Sequence, residues 1–219
     1  MTSPLVLPLG EAAFMVRLGE TTSVEVSERS AALAEAIRRA GLDGVTEVVP
    51  AIASVAVFYE PMRVRRDTAD LLRRFVGESQ GAAAARTAFL THAIPTRYDG
   101  EDLDAVAERV GLSREEVVRR HAEREYHVLA LGFLPGWAYL GMIDPALALP
   151  RRTTPRTRVP AGSVAIMGQQ TGVYPRVSPG GWHLIGSTDT VLFSTERERP
   201  ALFAPGDRVR FVPAALGSA

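Results

Sequence analysis

Five arginines stand close together at positions 151, 152, 156, 158 and 176, and between Gly132 and Gly186 they face a single acid, Asp144. The chain as a whole balances 25 basic against 25 acidic residues, so this excess is local. Guanidinium groups are permanently charged and carry a planar fork of donors, which suits a carboxylate or a phosphate. Glycines at 162, 168, 172, 180 and 181 let backbone N–H groups approach such an anion closely. Gln170 and Tyr174 can contact an amide. The segment therefore reads as an anion- or amide-binding surface, against the plainer reading of solvated arginines on loops.

Four histidines complete the ionisable groups of interest. His121 ends a helical stretch, His183 follows Pro179-Gly180-Gly181, and His92 and His127 have strand contexts. No pair has metal-ligand spacing, so no metal site is expected. Ser163, in Pro160-Ala161-Gly162-Ser163, lacks the G-x-S-x-G spacing of a nucleophile elbow and reads as a turn or cap residue. Trp137, Tyr139 and Trp182 read as barrel core or cavity wall.

Composition closes off several chemistries. The chain has no cysteine, no lysine and no asparagine. That excludes thiolate catalysis, disulfides, a Walker lysine, a Schiff base and a Cys-His-Asn triad. A net charge of zero argues against a nucleic-acid or anionic-membrane partner. No apolar run reaches membrane-spanning length and the start has no signal-peptide pattern, so a cytoplasmic location is expected.

The elements that must position these residues fall into two groups. Residues 1–90 read as a βαββαβ two-layer sandwich. Strands are expected at 12–18, 45–49 and 54–59, the last buried on both faces, and a final strand at 87–98. One helix ends at Ala40 before the C-cap Gly41, and another runs from Asp67 to Gly77 before a small-residue connector through Ala85. Residues 91–219 read as a β-barrel led by two short helices. The first of these stops at Gly111. The second opens on Ser113-x-x-Glu116, a capping-box spacing. After Tyr126, short apolar runs alternate with Pro/Gly turns, the signature of all-β structure. The fold class is α+β.

Several segments, in order and spacing, resemble one family. They are Gly132-Phe133-Leu134-Pro135-Gly136-Trp137-Ala138-Tyr139-Leu140-Gly141, Arg151 to Pro160, Ala161-Gly162-Ser163-Val164, Gln170 to Pro175, and Pro179 to Gly186. The chain is similar to the 5-oxoprolinase B-subunit family, also called allophanate hydrolase subunit 1 or the sporulation-kinase inhibitor family. Trp137 stands where the family more often has phenylalanine. The resemblance implies a cyclophilin-like barrel and a non-autonomous subunit of a hydrolase. With subunits A and C, that enzyme would open the lactam 5-oxoproline to glutamate, using ATP with magnesium at the level of the complex. In that setting Arg151, Arg156 and Arg176 would bind anions, and Gln170 and Tyr174 would contact the lactam. Gly180, Gly181 and His183 would line the site, with His121 as the proton handler. An alternative under the same resemblance is a regulatory module that inhibits a sensor histidine kinase.

Overall fold

The chain divides into two units, Met1–Phe89 and Leu90–Ala219, and the computed structural model describes residues 5–64, 67–79 and 89–214. The first unit is a four-stranded antiparallel sheet. Its strands are β1 (Leu5–Pro8), β2 (Ala13–Arg17), β3 (Val45–Pro50) and β4 (Ser54–Tyr59), in the order β1-β2-β4-β3. Between β2 and β3 lies α1 (Val24–Ala40). Ser23 accepts the Val26 N–H at its start, and Gly41 at φ 56° stops it with an N–H bond to the Arg38 carbonyl. After β4 comes α2 (Thr68–Ser79). Leu33, Ala34 and Ile37 of α1 and Leu72 and Val76 of α2 pack on Val16, Val48, Val55 and Val57 of the sheet. Only one face is covered in this way, so Phe58 is left 37% exposed and the expectation of a strand buried on both faces is corrected.

Two further expectations change here. The four-residue β1, too short to stand out in the sequence, adds an edge to the sheet by pairing with β2 from Leu5↔Arg17 to Pro8↔Phe14. The strand expected at 87–98 is β5 (Thr91–Thr96), with residues 87 and 88 outside the described residues. It does not close the first unit, which is ββαββα rather than βαββαβ. The small-residue connector expected at 77–85 is helical through Ser79 and otherwise lies outside the described residues.

The second unit is built on a seven-stranded sheet. Besides β5 it contains β6 (Glu125–Leu131), β7 (Ala138–Gly141), β9 (Ser163–Met167), β10 (Gln170–Val173), β12 (His183–Ser187) and β13 (Arg208–Pro213). Two shorter strands, β8 (Arg156–Val159) and β11 (Ser178–Gly180), form a separate antiparallel ribbon. The sheet order is β12-β9-β10-β7-β6-β13-β5. β5 lies parallel to β13, from Thr91↔Arg208 to Thr96↔Pro213. Asp207 fixes this non-local pairing by accepting the Leu90 N–H and contacting His92 Nε2.

The sheet is nearly closed. Just past β5, Arg97 exchanges two backbone hydrogen bonds of 2.8 and 2.7 Å with Ser187 of β12, joining the two outer strands. The interior is filled by Ile94, Val128, Leu140, Val164, Ile166, Ile185, Val209 and Phe211. Helix α3 (Leu103–Val110) turns Leu103, Val106 and Ala107 into this core, and α4 (Arg114–Ala122) adds Val117. The expected capping at Ser113 is present, since its hydroxyl accepts the Glu116 N–H at 3.2 Å. Among the described residues no helix is long and apolar enough to cross a membrane.

Closure needs a glycine beside the Arg97–Ser187 bridge, because a β-carbon at Gly186 would lie 2.4 Å from the Arg97 carbonyl oxygen. Gly186→Ala should therefore lower stability in urea unfolding by about 2 kcal/mol or more. Gly77→Ala, in α2 with open space around it, should raise stability by about 0.5–1 kcal/mol.

Candidate functional site

The arginine-rich segment is held in place by two hydrogen bonds. His183 Nε2 donates to the Pro150 carbonyl at 2.9 Å, and the Arg152 N–H donates to the Gly181 carbonyl at 3.0 Å. Residues 150–152 are thereby strapped along residues 181–183, with Arg151 between the two ties. Two arginines that follow Arg151, at 152 and 156, are neutralised. Asp102, 5% exposed, accepts Arg152 Nη1 at 2.7 Å, Arg156 Nη2 at 2.8 Å and the Leu184 N–H at 2.7 Å. Glu101 takes Arg156 Nε at 2.5 Å. Burial alone would raise the Asp102 pKa. The bonds from Arg156 and Leu184 and the charges of both arginines outweigh it, and the carboxyl is held below its ordinary range. Among the described residues Arg151 has no acidic partner and no hydrogen bond.

Arg151 borders a cleft of about 130 Å³ lined also by Phe133, Trp137, Tyr139, Tyr174, Gly180, Gly181 and Trp182. Trp137 is its hub. The ring meets Tyr174 at 4.7 Å, Trp182 at 5.0 Å, Phe133 at 5.5 Å and Tyr139 at 5.8 Å, each near edge-to-face. Two glycines allow this close fit. A β-carbon at Gly180 would sit 2.2 Å from the Tyr174 hydroxyl, and one at Gly181 would sit 2.5 Å from Arg151 Nε. Burial raises the Tyr174 pKa, with a Trp182 backbone bond and the Arg151 and Arg156 charges opposing it, so the phenol stays neutral. Trp137 Nε1–H is buried with no partner, although an indole N–H out of water ordinarily finds an acceptor. The cleft thus offers flat aromatic walls and one unpaired guanidinium, an arrangement that can hold a small flat acid.

Arg151, Tyr174, Gly180 and Gly181 come together as expected from the sequence, while the other candidate residues do not line the cleft. Arg156 is consumed by Asp102 and Glu101. Arg176 is exposed beyond β10. Gln170 lies in the sheet opposite Gly141 and Met167. His183 is buried and braces the Pro150 carbonyl, which makes it a positioning residue for Arg151. Ser163 closes its turn by donating to the Pro160 carbonyl at 2.9 Å.

Residues 4–203 match the family model described as the carboxyltransferase domain, subdomain C and D. The chain is 41% identical to the B subunit of 5-oxoprolinase from Escherichia coli O157:H7, over 94% of both chains. It is 39% identical to that of Bacillus subtilis (strain 168), over 93% of this chain and 90% of the relative. It belongs to the 5-oxoprolinase B-subunit family. Among solved structures, TTHA0988 superposes with a TM-score of 0.81 at 45% identity over 92% of the present chain, which spans only 40% of TTHA0988. The Kluyveromyces lactis urea carboxylase shares the fold with a TM-score of 0.77 at 20% identity, over 96% of this chain and 22% of that one.

His121 lies in the barrel core and does not line the cleft. It is fully buried among Tyr126, Phe211 and Tyr98. Thr171 Oγ1 donates to the Ala165 carbonyl, so it accepts from His121 Nε2–H at 2.9 Å. Nδ1 is then the acceptor for the Tyr98 hydroxyl at 2.8 Å. Burial drives the His121 pKa down to about 3. His121 is thus a neutral core histidine in a chain of hydrogen bonds.

A pH dependence of stability results. The folded pKa of His121 lies below the unfolded value of about 6.5, so the unfolded chain takes up the proton first. The stability is complete above about pH 6.5 and falls, as pH drops toward 3, by up to about 1.4 kcal/mol per pH unit. Urea unfolding between about pH 7 and pH 5 should show this slope, and His121→Gln should reduce it by one proton's worth. Equal slopes would mean that His121 titrates while folded. A second variant, Asp102→Asn, should destabilise by about 1–3 kcal/mol in the same assay, because it leaves Arg152 without a carboxylate and Arg156 with Glu101 alone.

Proposed function

We propose that the chain is a non-autonomous subunit of an ATP-dependent 5-oxoprolinase, acting with subunits A and C. In this reading its aromatic cleft receives the 5-oxoproline ring. The observation that carries the proposal is the pairing of apolar ring walls with an unpartnered Arg151 in a cleft of about 130 Å³. An apolar cavity of about 150 Å³ accommodates a benzene ring, so this volume suits one five-membered ring. The Arg151 fork takes the ring carboxylate. The rings of Phe133, Trp137, Tyr139 and Trp182 form the walls against which the lactam ring lies.

The residues present do not fit ATP. The chain has no lysine, and the cleft is too small for a nucleotide. Among the described residues, no group of three or more His, Asp or Glu side chains is placed to hold a metal ion. Nucleotide binding therefore belongs to another part of the complex. What this chain contributes is binding and orientation: the carboxylate is fixed, the ring is held flat, and the amide is presented to a reacting group supplied from outside.

Combined with subunits A and C, the chain should give ATP hydrolysis that depends on 5-oxoproline. Arg151→Ala should raise the KM for 5-oxoproline by about 10- to 100-fold, the usual loss for a charged hydrogen-bond pair. ATP turnover indifferent to 5-oxoproline would sink the assignment. An unchanged KM in the arginine variant would remove Arg151 from the site.

A further inference from the structure

The loop before Trp137 has an unusual backbone for its sequence. Phe133 has φ 61°, the one non-glycine residue with positive φ among those described. The Leu134 N–H bonds to the Gly132 carbonyl at 2.6 Å, two residues back, so Phe133 is the centre of a γ-turn of the positive-φ kind, which is rare and strained. A type II turn follows at once. The Trp137 N–H bonds to the Leu134 carbonyl at 2.9 Å, with Pro135 and Gly136 (φ 85°) as its central pair. Glycine occupies positions 132 and 136 on either side, yet the position where glycine would relieve strain carries a phenylalanine.

Packing does not account for that choice. Phe133 is 58% exposed, so core burial repays little of the strain. What the turn achieves is placement. It stands the Phe133 ring edge-to-face on Trp137, at 5.5 Å and 84°, as a wall of the cleft. Apart from this one ring contact the strain has little structural return, and strain held at a cleft wall points to a binding role.

We propose that Phe133 is a specificity-determining residue, the wall that selects a closed lactam acid over its open-chain counterpart. This rests on the reading that the cleft binds 5-oxoproline. The lactam carries one carboxylate, which Arg151 can match, and a neutral ring that can lie against Phe133 and Trp137. Ring opening to glutamate adds an ammonium group and a second carboxylate. Against an apolar wall with one guanidinium available, the second carboxylate loses water and finds no partner. Phe133 therefore favours retention of the substrate and departure of the product.

Both tryptophans of the chain, Trp137 and Trp182, line the cleft, so intrinsic fluorescence reports on it directly. The full chain is titrated with 5-oxoproline and with L-glutamate as wild type, Phe133→Gly and Phe133→Tyr, and each protein is unfolded in urea. Wild type should respond to 5-oxoproline at a concentration at least about tenfold lower than to glutamate. Phe133→Gly should unfold at the same or a higher urea concentration, because the turn is relaxed, yet lose most of that preference. Phe133→Tyr should keep it. Reconstituted with subunits A and C, Phe133→Gly should raise the KM for 5-oxoproline by a larger factor than it lowers kcat. A glycine variant that keeps the preference overturns the inference and leaves the cleft assignment standing. So does a wild type that responds equally to ring and open chain, or a glycine variant that unfolds more easily. A wild type without any response to 5-oxoproline removes the cleft assignment itself.

Discussion

The carboxylate of Asp102 is the point on which the second unit's functional face depends. It is buried just before α3, and its side chain makes no capping bond to that helix. Its oxygens are committed instead to the Leu184 N–H of β12, to Arg152 and to Arg156 of β8. A carboxylate buried alone would be strongly unfavourable, and three donors, two of them charged, make this burial tolerable. The same bonds decide which cation is free. By drawing in the arginines at 152 and 156, Asp102 and Glu101 leave the guanidinium at 151 as the one that borders the cleft. The charge excess visible in the sequence is thus reduced by acids that lie about fifty residues away.

The cleft beside it is shaped by contacts that only small or flat groups allow. Trp137 meets four aromatic neighbours, and such pairs each add about 0.5–1.5 kcal/mol beyond area burial. Rings that brace one another in this way do not need the cavity filled in order to keep their positions. Gly180 and Gly181 bring backbone against the Tyr174 hydroxyl and the Arg151 side chain, where any β-carbon would collide. The Pro150–Arg152 strap is held at both ends by bonds to residues 181–183. The free cation therefore projects from a fixed backbone, and its entropic loss on binding an anion is confined to its own side chain.

What can be read from the sequence follows from how local its causes are. Gly41, Gly111 and Ser113 act within one helical turn, so the ends of α1, α3 and α4 that they cap lie in plain view. The Pro135-Gly136 turn is legible for the same reason. β5 is recognisable as a strand but not as a member of its sheet, because its partner β13 lies more than a hundred residues away and the register depends on Asp207. A run of alternating residues does not reveal which edge it will join. The arginine cluster marks the right region, but which arginine stays unpaired depends on Asp102, and nothing near Asp102 in the sequence points to it. His121 draws attention as an ionisable group at a helix end, whereas burial and two hydrogen bonds make it inert. No composition rule places a phenylalanine at positive φ, so Phe133 is found only in three dimensions.

The protonation states of the buried groups bear on what the unit can do. His121 is kept neutral by burial, with Nε2–H committed to Thr171 and Nδ1 to Tyr98. Burial also keeps the Tyr174 and Tyr139 phenols protonated. None of these groups is poised to exchange a proton near neutral pH, which is what general acid–base catalysis asks of a side chain. The Arg151 guanidinium and the indole N–H of Trp137 can only donate. A site made of fixed donors and flat walls can recognise an acid and hold an amide still, but it has no base with which to drive water onto a carbonyl. What such a site can offer a bound amide is proximity and alignment.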